Sequence, residues 1–469
     1  MDDLVEFTLK YLEKNKVSYA EIRHEHSIGN GIVIKNQIPQ VGSFEEIEGI
    51  GIRYIKHSAL SFVSTNNLTK DNIKSLIDRS LSKVKSYHKI TEKTELVSDQ
   101  TYKDNYEVKQ KIKLADIDFS EKIKLLLDAE KEMRDQGIKI PSSYLVLSDI
   151  TTTQNFANTE GSRIRSLIPR VSFYYQISVM EKNQVSQRYW PWGGVGGFET
   201  VKNWDIPKIL VEEVKAMSNN IKNGIAPPKE EIELVVAPQV TGIMVHESVG
   251  HPYEADRILG REAAQAGESF VSKEMLNTRI GSDVVNVSDD PTLDNSFGFY
   301  KYDDEGVKAR KRRLIKDGII NELLHNRETG FSFNLKSNAA SRASDYDKEP
   351  IIRMANTFLE KGPYKEEKLF EGIKKGVYIK NFMEWNIDDK RFNQKYVGAE
   401  AYLIENGKIT KPVIKPIIEL TTPKLWSSVD AVANNIEYHA GNCGKGEPMQ
   451  GCPVWLGGPS MRLKKIRLG

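Results

Sequence analysis

The residues that point most directly to chemistry form the segment His246-Glu247-Ser248-Val249-Gly250-His251, in which a carboxylate stands between two imidazoles. Imidazole nitrogens are common zinc ligands, and a glutamate beside a ligand is placed to take a proton from a zinc-bound water. The segment therefore predicts a zinc site of the peptidase type, with His246 and His251 as ligands and Glu247 as the catalytic base. The alternative is a surface helix that carries two unrelated histidines.

The spacing of these histidines differs from the common H-E-x-x-H pattern, because they are five residues apart. At about 100° per residue, an α-helix would place the two rings roughly 140° apart around its axis. Both rings can reach one metal only if the helix tightens, bulges or ends between them. Gly250 is a poor helix former, and Pro252 disfavours the α conformation at His251. We therefore expect the helix to end at His251 and to turn that ring back toward His246.

A third ligand must come from elsewhere in the chain, and the glycine-rich segment 439–446 offers His439 and Cys443. Glycine neighbours do not supply the bulky contacts of a buried cysteine. A reactive thiolate on a flexible, closely approaching backbone is therefore the better interpretation of Cys443. Cys452 is interpreted as a small buried residue. With two cysteines in the chain, a disulfide framework is excluded.

The elements that must hold these residues differ between the two halves of the chain. The first half of the chain contains both apolar stripes with helical spacing and strand-like runs. Between residues 20 and 63 the strand-like runs are short and separated by glycines. A strand over 232–237 and a helix after Pro238 lead into the histidine motif. Further downstream, Asp317-Gly318 and Asn406-Gly407 predict β-hairpins. Because helices and strands occur in blocks, the pattern favours an α+β fold.

The sequence Ala226-Pro227-Pro228 marks the expected domain boundary, since paired prolines cannot continue a helix. We expect a mixed α/β N-terminal domain over 1–228 and a β-rich, largely antiparallel C-terminal domain over 229–469 that carries the metal site. The glycine-rich segment 192–198 is interpreted as a mobile loop near a cleft, because no clear strand or helix frames it for phosphate binding.

Composition narrows the classes of function. The chain has 469 residues, and its 67 basic and 65 acidic side chains give a net charge of +2. This balance weighs against binding nucleic acid through bulk charge, and the basic run 308–313 is interpreted as a solvated strand or loop face. The sequence contains no run of about 18 apolar residues, which is the pattern that would predict a membrane span. The acidic start Met1-Asp2-Asp3 does not resemble a signal peptide. We expect a soluble, cytoplasmic protein.

Four motifs together resemble the TldD/PmbA family, whose members are also called modulators of DNA gyrase. These motifs are His-Glu-Ser-Val-Gly-His at 246–251, Tyr-Asp-Asp-Glu-Gly at 302–306, the segment 400–413 and Cys-Gly-Lys at 443–445. The resemblance covers about 230–455. It implies a zinc metallopeptidase of the TldD-like branch, in which His246, His251 and Cys443 hold Zn²⁺ and Glu247 is the base. It also implies assembly with a homologous TldE/PmbA-like subunit, which lacks the motif, or with further copies of the chain.

Taken together, these observations predict a zinc metallopeptidase, a hydrolase that cleaves short or unfolded peptides held against an exposed strand edge. Two imidazoles and a thiolate would leave one zinc position open. The alternatives are a non-catalytic partner subunit and a regulator associated with DNA or gyrase. The first is disfavoured by Glu247, because a structural zinc closes all four positions and needs no base; the second is disfavoured by the charge balance.

Overall fold

The computed structural model describes residues 2–40, 42–84, 93–261 and 268–469. The helices are α1 (Asp2–Lys14), α2 (Lys70–Val84), α3 (Phe119–Arg134), α4 (Glu199–Lys202), α5 (Ile206–Asn223), α6 (Pro238–Val245), α7 (Ala255–Ile258), α8 (Arg327–Phe333), α9 (Glu367–Phe370) and α10 (Thr422–Ser428). The strands of the first half are β1 (Tyr19–Lys35), β2 (Ile38–Pro39), β3 (Ser43–Lys56), β4 (Ala59–Thr65), β5 (Lys103–Glu107), β6 (Ser142–Asn158), β7 (Arg163–Glu181) and β8 (Gln184–Val195). The strands of the second half are β9 (Ile232–Val236), β10 (Val287–Asp289), β11 (Arg312–Lys316), β12 (Ile319–Ile320), β13 (Ser341–Arg342), β14 (Ile351–Ile352), β15 (Asn356–Leu359), β16 (Lys375–Ile387), β17 (Asn393–Glu405), β18 (Lys408–Pro412), β19 (Ile417–Thr421), β20 (Val429–Val432), β21 (Glu437–Lys445), β22 (Gln450–Gly458) and β23 (Met461–Ile466).

The first sheet is built from β1–β8, in the order β4-β3-β1-β6-β7-β5, with β2 on β1 and β8 on β7. Its central strand β1 pairs antiparallel with both β3 and β6. The strand runs predicted for this region do lie in strands, but their predicted shortness is wrong, since Gly29 and Gly31 lie inside β1 and do not end it. Pairing on both sides supplies the backbone hydrogen bonds that hold these glycines extended.

Helices cover this sheet with the apolar stripes expected from the sequence. In α2, Ile73, Ile77 and Leu81 are buried in a cluster with α1 and β1. In α5, Leu210 and Val214 are buried in the main core, where α5 packs against α3. The 3.6-residue period was therefore a sound guide to both helices.

Strands of the second half form two larger sheets and the short pair β13–β14. One sheet has the order β12-β11-β10-β15-β22-β21, and the other has β18-β17-β16-β9-β23-β20 with β19 on β17. The predicted hairpins are confirmed: Asp317-Gly318 joins β11 to β12, and Asn406-Gly407 joins β17 to β18. Both residues of each turn have positive φ, as a two-residue turn of this kind requires. Most pairings are antiparallel, and the predicted α+β class is confirmed.

The two halves of the chain contact each other closely. Tyr346 lies where a side chain on Gly49 would be, and Arg53 of β3 forms a buried ion pair with Glu305. The main apolar core includes residues from both halves. The division into 1–228 and 229–469 stays a prediction.

The loop predicted at 192–198 is wrong for 192–195, which ends β8, whereas 196–198 is the short link from β8 to α4. Val195 is buried, and its N–H donates to the carbonyl of Asn295 at 3.1 Å. Among the helices of the described residues, none combines the length and apolar character that crossing a lipid bilayer requires.

Candidate metal centre

Helix α6 carries the histidine motif into the interior. It begins at Pro238, directly after β9 as predicted, since proline has no N–H to leave unpaired in a first turn. Its residues 240–245 are buried. Gly242 lies against the backbone of Leu456 and Gly457 in β22. This close approach holds the segment that follows α6 beside the β21–β22 hairpin.

The segment His246–Gly250 forms a π-helical turn, which resolves the spacing of the two histidines. The N–H of His251 donates to the carbonyl of His246, five residues earlier, whereas an α-helix bonds four residues back. The ring centroids of His246 and His251 are 5.0 Å apart as a result. This π turn is a bulge in the helix, and a bulge is one of the three changes (tightening, bulging or ending of the helix) expected to bring both rings to one metal.

The helix end expected at His251 is wrong. His251 keeps helical angles, with φ −62° and ψ −47°, and a 3₁₀ turn continues through Tyr253. The preference of a pre-proline residue for extended backbone is therefore overridden. Burial of the whole segment and the hydrogen bond of the π turn give the physical reason.

Strand β21 supplies Cys443. The segment expected to be flexible is an ordered strand, in which Cys443 lies opposite Cys452 of β22. The Sγ atom of Cys443 is 3.3 Å from Nε2 of His251, and one ligand atom from each of His246, His251 and Cys443 lies within 4.8 Å of the others. All three side chains are buried. The fold thus brings together the three residues predicted as ligands.

Glu254 holds the ring of His251 from behind. With its proton on Nδ1, His251 donates to Oε2 of Glu254 at 3.1 Å, and Nε of Arg257 donates to the same oxygen at 2.6 Å. Lys445, on β21 two residues after Cys443, lies 3.3 Å from this oxygen and bonds Asp256 at 2.7 Å. Such a carboxylate orients a ligating histidine and leaves Nε2 for the metal. Sequence reasoning missed Glu254, although its i+3 spacing from His251 was visible.

The charges around the cluster favour a thiolate. Burial alone would raise the pKa of the Cys443 thiol, but His251, His246 and Arg353 hold that pKa well below its ordinary value. Burial lowers the pKa of His246 and Cys443 raises it, and the net shift is upward. Burial would raise the pKa of Glu254, but Lys445, His251 and Arg257 hold it well below the usual range. The thiolate is the form of cysteine that binds metal.

Glu247 faces the same cavity but stands outside the ligand group. Its Oε2 accepts a hydrogen bond from Nη1 of Arg391 at 2.6 Å, and its Oε1 accepts one from Nε1 of Trp385 at 3.2 Å. Trp385 belongs to β16, and Arg391 lies in the turn before β17. Sequence reasoning missed both, because no local pattern marks residues that meet Glu247 across some 140 positions of chain.

A cavity of about 300 Å³ opens over the cluster. One wall is Tyr189–Pro191 of β8, from the first sheet, and another is Ala440–Gly444 of β21. Within the described residues, β8 pairs with β7 alone and β21 with β22 alone, so each is an edge strand. Glu247 and the three clustered residues line the same cavity. The cavity over the cluster is therefore lined by two edge strands.

The other candidate residues take different places. His439 is buried against the ring of Trp190, and burial together with Arg188 lowers its pKa to about 3. His439 is outside the ligand group. Cys452 is buried, as predicted, and its sulphur accepts a hydrogen bond from Arg353 at 3.4 Å.

The basic run 308–313 is mostly paired with acidic groups. Lys311 bonds Glu360 at 2.7 Å, and Arg310 bonds Glu322. The interpretation of the run as a solvated face is wrong for Arg312, which is fully buried against Asp289. Arg312 points inward because β11 alternates its side chains between core and surface. These ion pairs reduce the positive charge that the run could offer to a nucleic acid.

Family models match three parts of the chain. The match to the PmbA/TldA metallopeptidase C-terminal domain covers 229–469, the match to domain 1 covers 20–83, and the match to the central domain covers 112–219. A curated metalloprotease of Methanocaldococcus jannaschii is 33% identical over 95% of both chains. A zinc metalloprotease TldD homolog of Saccharolobus solfataricus is 26% identical over 98% of this chain and 99% of its own.

Solved structures with the same fold cover the whole chain. A proposed modulator of DNA gyrase from Thermotoga maritima aligns with a TM-score of 0.80 at 15% identity, over 100% of both chains. TldE from Thermococcus kodakarensis aligns with a TM-score of 0.79 at 15% identity, over 100% of this chain and 99% of its own.

Proposed function

Because the chain belongs to the TldD/PmbA family of metallopeptidases, we propose that it is a zinc-dependent peptidase that hydrolyses peptide bonds in short or unfolded peptides. The observation that carries this proposal is the buried group of His246, His251 and Cys443 beside the carboxylate of Glu247. Metalloprotease names among the curated relatives support the class of reaction, and the name of the Saccharolobus relative supports the metal.

The residues present fit a zinc ion. Two imidazoles and a thiolate are a donor set that zinc prefers, and their ligand atoms already lie within 4.8 Å of one another. Nδ1 of His246 is buried and has no hydrogen-bond partner among the described residues. No protein group of the described chain therefore occupies this nitrogen. The ligand group contains three residues of the described chain, and a catalytic zinc keeps its fourth position for water or substrate.

A zinc ion held by these three residues would supply Lewis acidity, which polarises a carbonyl oxygen and lowers the pKa of a nearby water. Glu247 would accept a proton from the attacking water and pass it to the leaving amine. Its carboxylate is suited to this role because Arg391 and Trp385 hold it in place at the cavity wall. Glu254 would keep Nε2 of His251 directed at the metal.

The substrate would lie extended between β8 and β21. An edge strand offers backbone groups that bind another backbone, and such pairing is tolerant of side chains. The cavity beside these strands holds about 300 Å³, which suits a few residues and not a folded domain. Activity on short or unfolded peptides with loose sequence preference follows from this shape.

The working protein would be cytoplasmic and would pair with a homologous TldE/PmbA-like subunit or with a second copy of the chain. This partnership comes from the family, one of whose solved structures is named TldE. A purely non-catalytic subunit would have no use for Glu247 beside a complete ligand set. A regulator that acts by binding DNA is disfavoured by the paired charges of 308–313.

The test is metal analysis of the purified protein together with cleavage of a peptide library. We expect about one zinc per chain, with hydrolysis that a chelator abolishes and added zinc restores. The metal-loaded protein is assayed alone and with its homologous partner. If it cleaves no peptide in either assay, the proposed activity is overturned. A steep salt dependence of DNA binding in the same preparation would favour the regulator instead.

A further inference from the structure

Two arginines close to the β21–β22 hairpin have no acidic partner in the described part of the chain. Arg170 of β7 and Arg342 of β13 line a cavity of about 230 Å³ between the first sheet and the second half of the chain. Within the described residues, neither guanidinium comes within ion-pair distance of a carboxylate. Arg342 is buried and Arg170 is half-buried. Most buried charges are paired, and a guanidinium that loses water without gaining a counter-charge is costly.

Their hydrogen bonds go to backbone carbonyls alone. Arg170 donates to the carbonyl oxygens of Phe297 and Phe299, at 3.2 and 3.1 Å. Arg342 donates to those of Met354 and Pro453, at 2.7 and 2.9 Å. Carbonyl oxygens fix the two side chains but leave their positive charges uncancelled. Burial and the nearby Arg342 lower the pKa of Arg170 to about 10, which still leaves it charged at neutral pH.

The acidic residues around the same cavity are mostly engaged by other groups. Glu25 is paired with Arg23 at 2.7 Å, and Asp304 accepts hydrogen bonds from Gln154 and from the N–H of Ala343. Asp303 accepts three backbone N–H groups, from Glu305, Val307 and Ser341. Asp345, whose carboxylate accepts the N–H of Tyr346, makes no ion pair with either arginine.

This basic pair lies close to the ligand-bearing strand. Pro453, whose carbonyl Arg342 binds, pairs across the hairpin with Asn442, the residue before Cys443. Asn442 lines the cavity over the metal cluster and also a second cavity of about 290 Å³, which Arg170 lines as well. Asn442 of β21 is thus a common wall of the cavity over the cluster and of the cavity that Arg170 lines.

We propose that Arg170 and Arg342 form a carboxylate subsite that binds a peptide substrate at a distance from the bond to be cleaved. This inference rests on the proposed function and adds a determinant of substrate choice. A planar guanidinium matches a carboxylate in a two-bond arrangement, and a peptide carries that group at its C-terminus or on Asp and Glu side chains. An extended chain that crosses the metal cluster and continues past Asn442 would bring such a carboxylate to Arg170.

The kinetic test uses one peptide in three forms: with a free C-terminal carboxylate, as the C-terminal amide, and as an amide whose last residue is Glu. We expect kcat/KM of the wild type to be about tenfold to a hundredfold higher for the free acid than for the plain amide, the effect of one or two charge-assisted hydrogen bonds. A high rate for the Glu-containing amide assigns the subsite to side-chain carboxylates as well; a low rate restricts it to the C-terminus.

Arg170→Gln should reduce the ratio of acid to amide rates to near one, whereas Arg170→Lys, which keeps the charge, should retain part of it. The matched control is Arg165→Gln, since Arg165 lies on the same strand with its side chain exposed. That variant should keep the wild-type ratio. Thermal unfolding and zinc content of each variant separate a lost subsite from a lost fold. An equal preference in wild type and Arg170→Gln overturns the proposal.

A binding measurement separates this inference from the proposed catalysis. Fluorescence anisotropy with labelled acid and amide peptides, on protein carrying Glu247→Gln, needs no hydrolysis. Tighter binding of the acid that disappears with Arg170→Gln supports the subsite even if the wild type proves inactive. Hydrolysis by the wild type, combined with equal binding of acid and amide, overturns the subsite and leaves the peptidase proposal intact.

Discussion

Glu247 and its two neighbouring histidines illustrate how adjacent residues acquire different roles. The imidazoles of His246 and His251 lie close to the thiol of Cys443. The carboxylate of Glu247 instead accepts hydrogen bonds from Arg391 and Trp385. The carboxylate is thereby kept out of the ligand group and held at the cavity wall. This position beside the ligand group is the one that the proposed role of Glu247 as a base requires.

We therefore expect Glu247→Gln to retain zinc and to lose peptide hydrolysis. Removing a general base typically costs about 10²- to 10⁴-fold in rate. Zinc content by elemental analysis and cleavage of an unfolded peptide are the two measurements. Wild-type rates in this variant would show that another group takes the proton.

Cys443→Ser should lose most of the bound zinc, whereas Cys452→Ser should keep it. A serine hydroxyl at neutral pH is a far poorer zinc ligand than a thiolate. The two cysteines face each other across one hairpin, so the second variant is a closely matched control. Equal zinc content in both would mean that the third ligand lies elsewhere.

In the metal-free protein, Cys443 should remain a thiolate below the ordinary thiol pKa of about 8.5. The pKa of Cys443 is lowered in the folded state, so its ionisation contributes stability that is fully present above the unfolded value. That contribution is lost as the pH falls through the lowered folded value. Ultraviolet thiolate absorbance, followed against pH after chelation, checks this. The signal should persist in Cys452→Ser and vanish in Cys443→Ser; a midpoint at the ordinary thiol pKa would contradict it.

At the scale of elements, the π turn after α6 determines whether the motif can work as a unit. It adds one residue to the turn, and this brings residues five apart onto one face. Gly250 belongs to this turn, and a Cβ there would overlap the sulphur of Met354, which is fully buried. The glycine is therefore required for close packing and not for an unusual φ.

Gly250→Ala should destabilise the protein by about 1–3 kcal/mol, the usual cost of overpacking a core. Chemical denaturation measures this change. Gly451→Ala is the control, because a Cβ on Gly451 meets no atom within 4 Å. Adding Met354→Ala to Gly250→Ala should give less destabilisation than the sum of the two single changes, since both act on one contact. Strict additivity would show that the overlap is not the cause.

At the scale of the whole molecule, the site depends on both halves of the chain. β8 of the first sheet and β21 of the second half both line the cavity. Contacts such as the buried ion pair of Arg53 with Glu305 join the first sheet to the rest. The cavity is therefore bounded by strands of two sheets, and the proposed substrate is one that can enter as an extended chain.

We expect a compact globular substrate to resist cleavage and the same protein to be cut once it is unfolded. A folded domain cannot present a free backbone to the strand edges beside the cluster. The comparison uses one tightly folded protein and its unfolded form, with the enzyme held at one oligomeric state. Similar cleavage rates for the folded and unfolded forms would contradict a narrow entrance and would favour an open cleft.

Much of the local architecture was predictable because short-range sterics determine it. Asp317-Gly318 and Asn406-Gly407 form turns wherever strands flank them, and a proline at position 238 begins a helix after β9. The residue types of the cluster also indicated metal chemistry, because few side chains bind zinc. The α+β class followed from the order of helical and strand patterns.

The tertiary structure alone decided how these residues meet. It placed a π turn where Pro252 predicted a helix end, and it ordered the glycines of β1 and β21 into paired strands. It also brought Arg391 to Glu247, and Arg170 and Arg342 to one cavity. Each of these outcomes depends on contacts between residues far apart in the chain. The hydrophobic periodicity and the conformational propensity of a segment depend only on residues near one another in the sequence. Burial and long-range hydrogen bonds can override these local preferences, and a local pattern carries no sign of them.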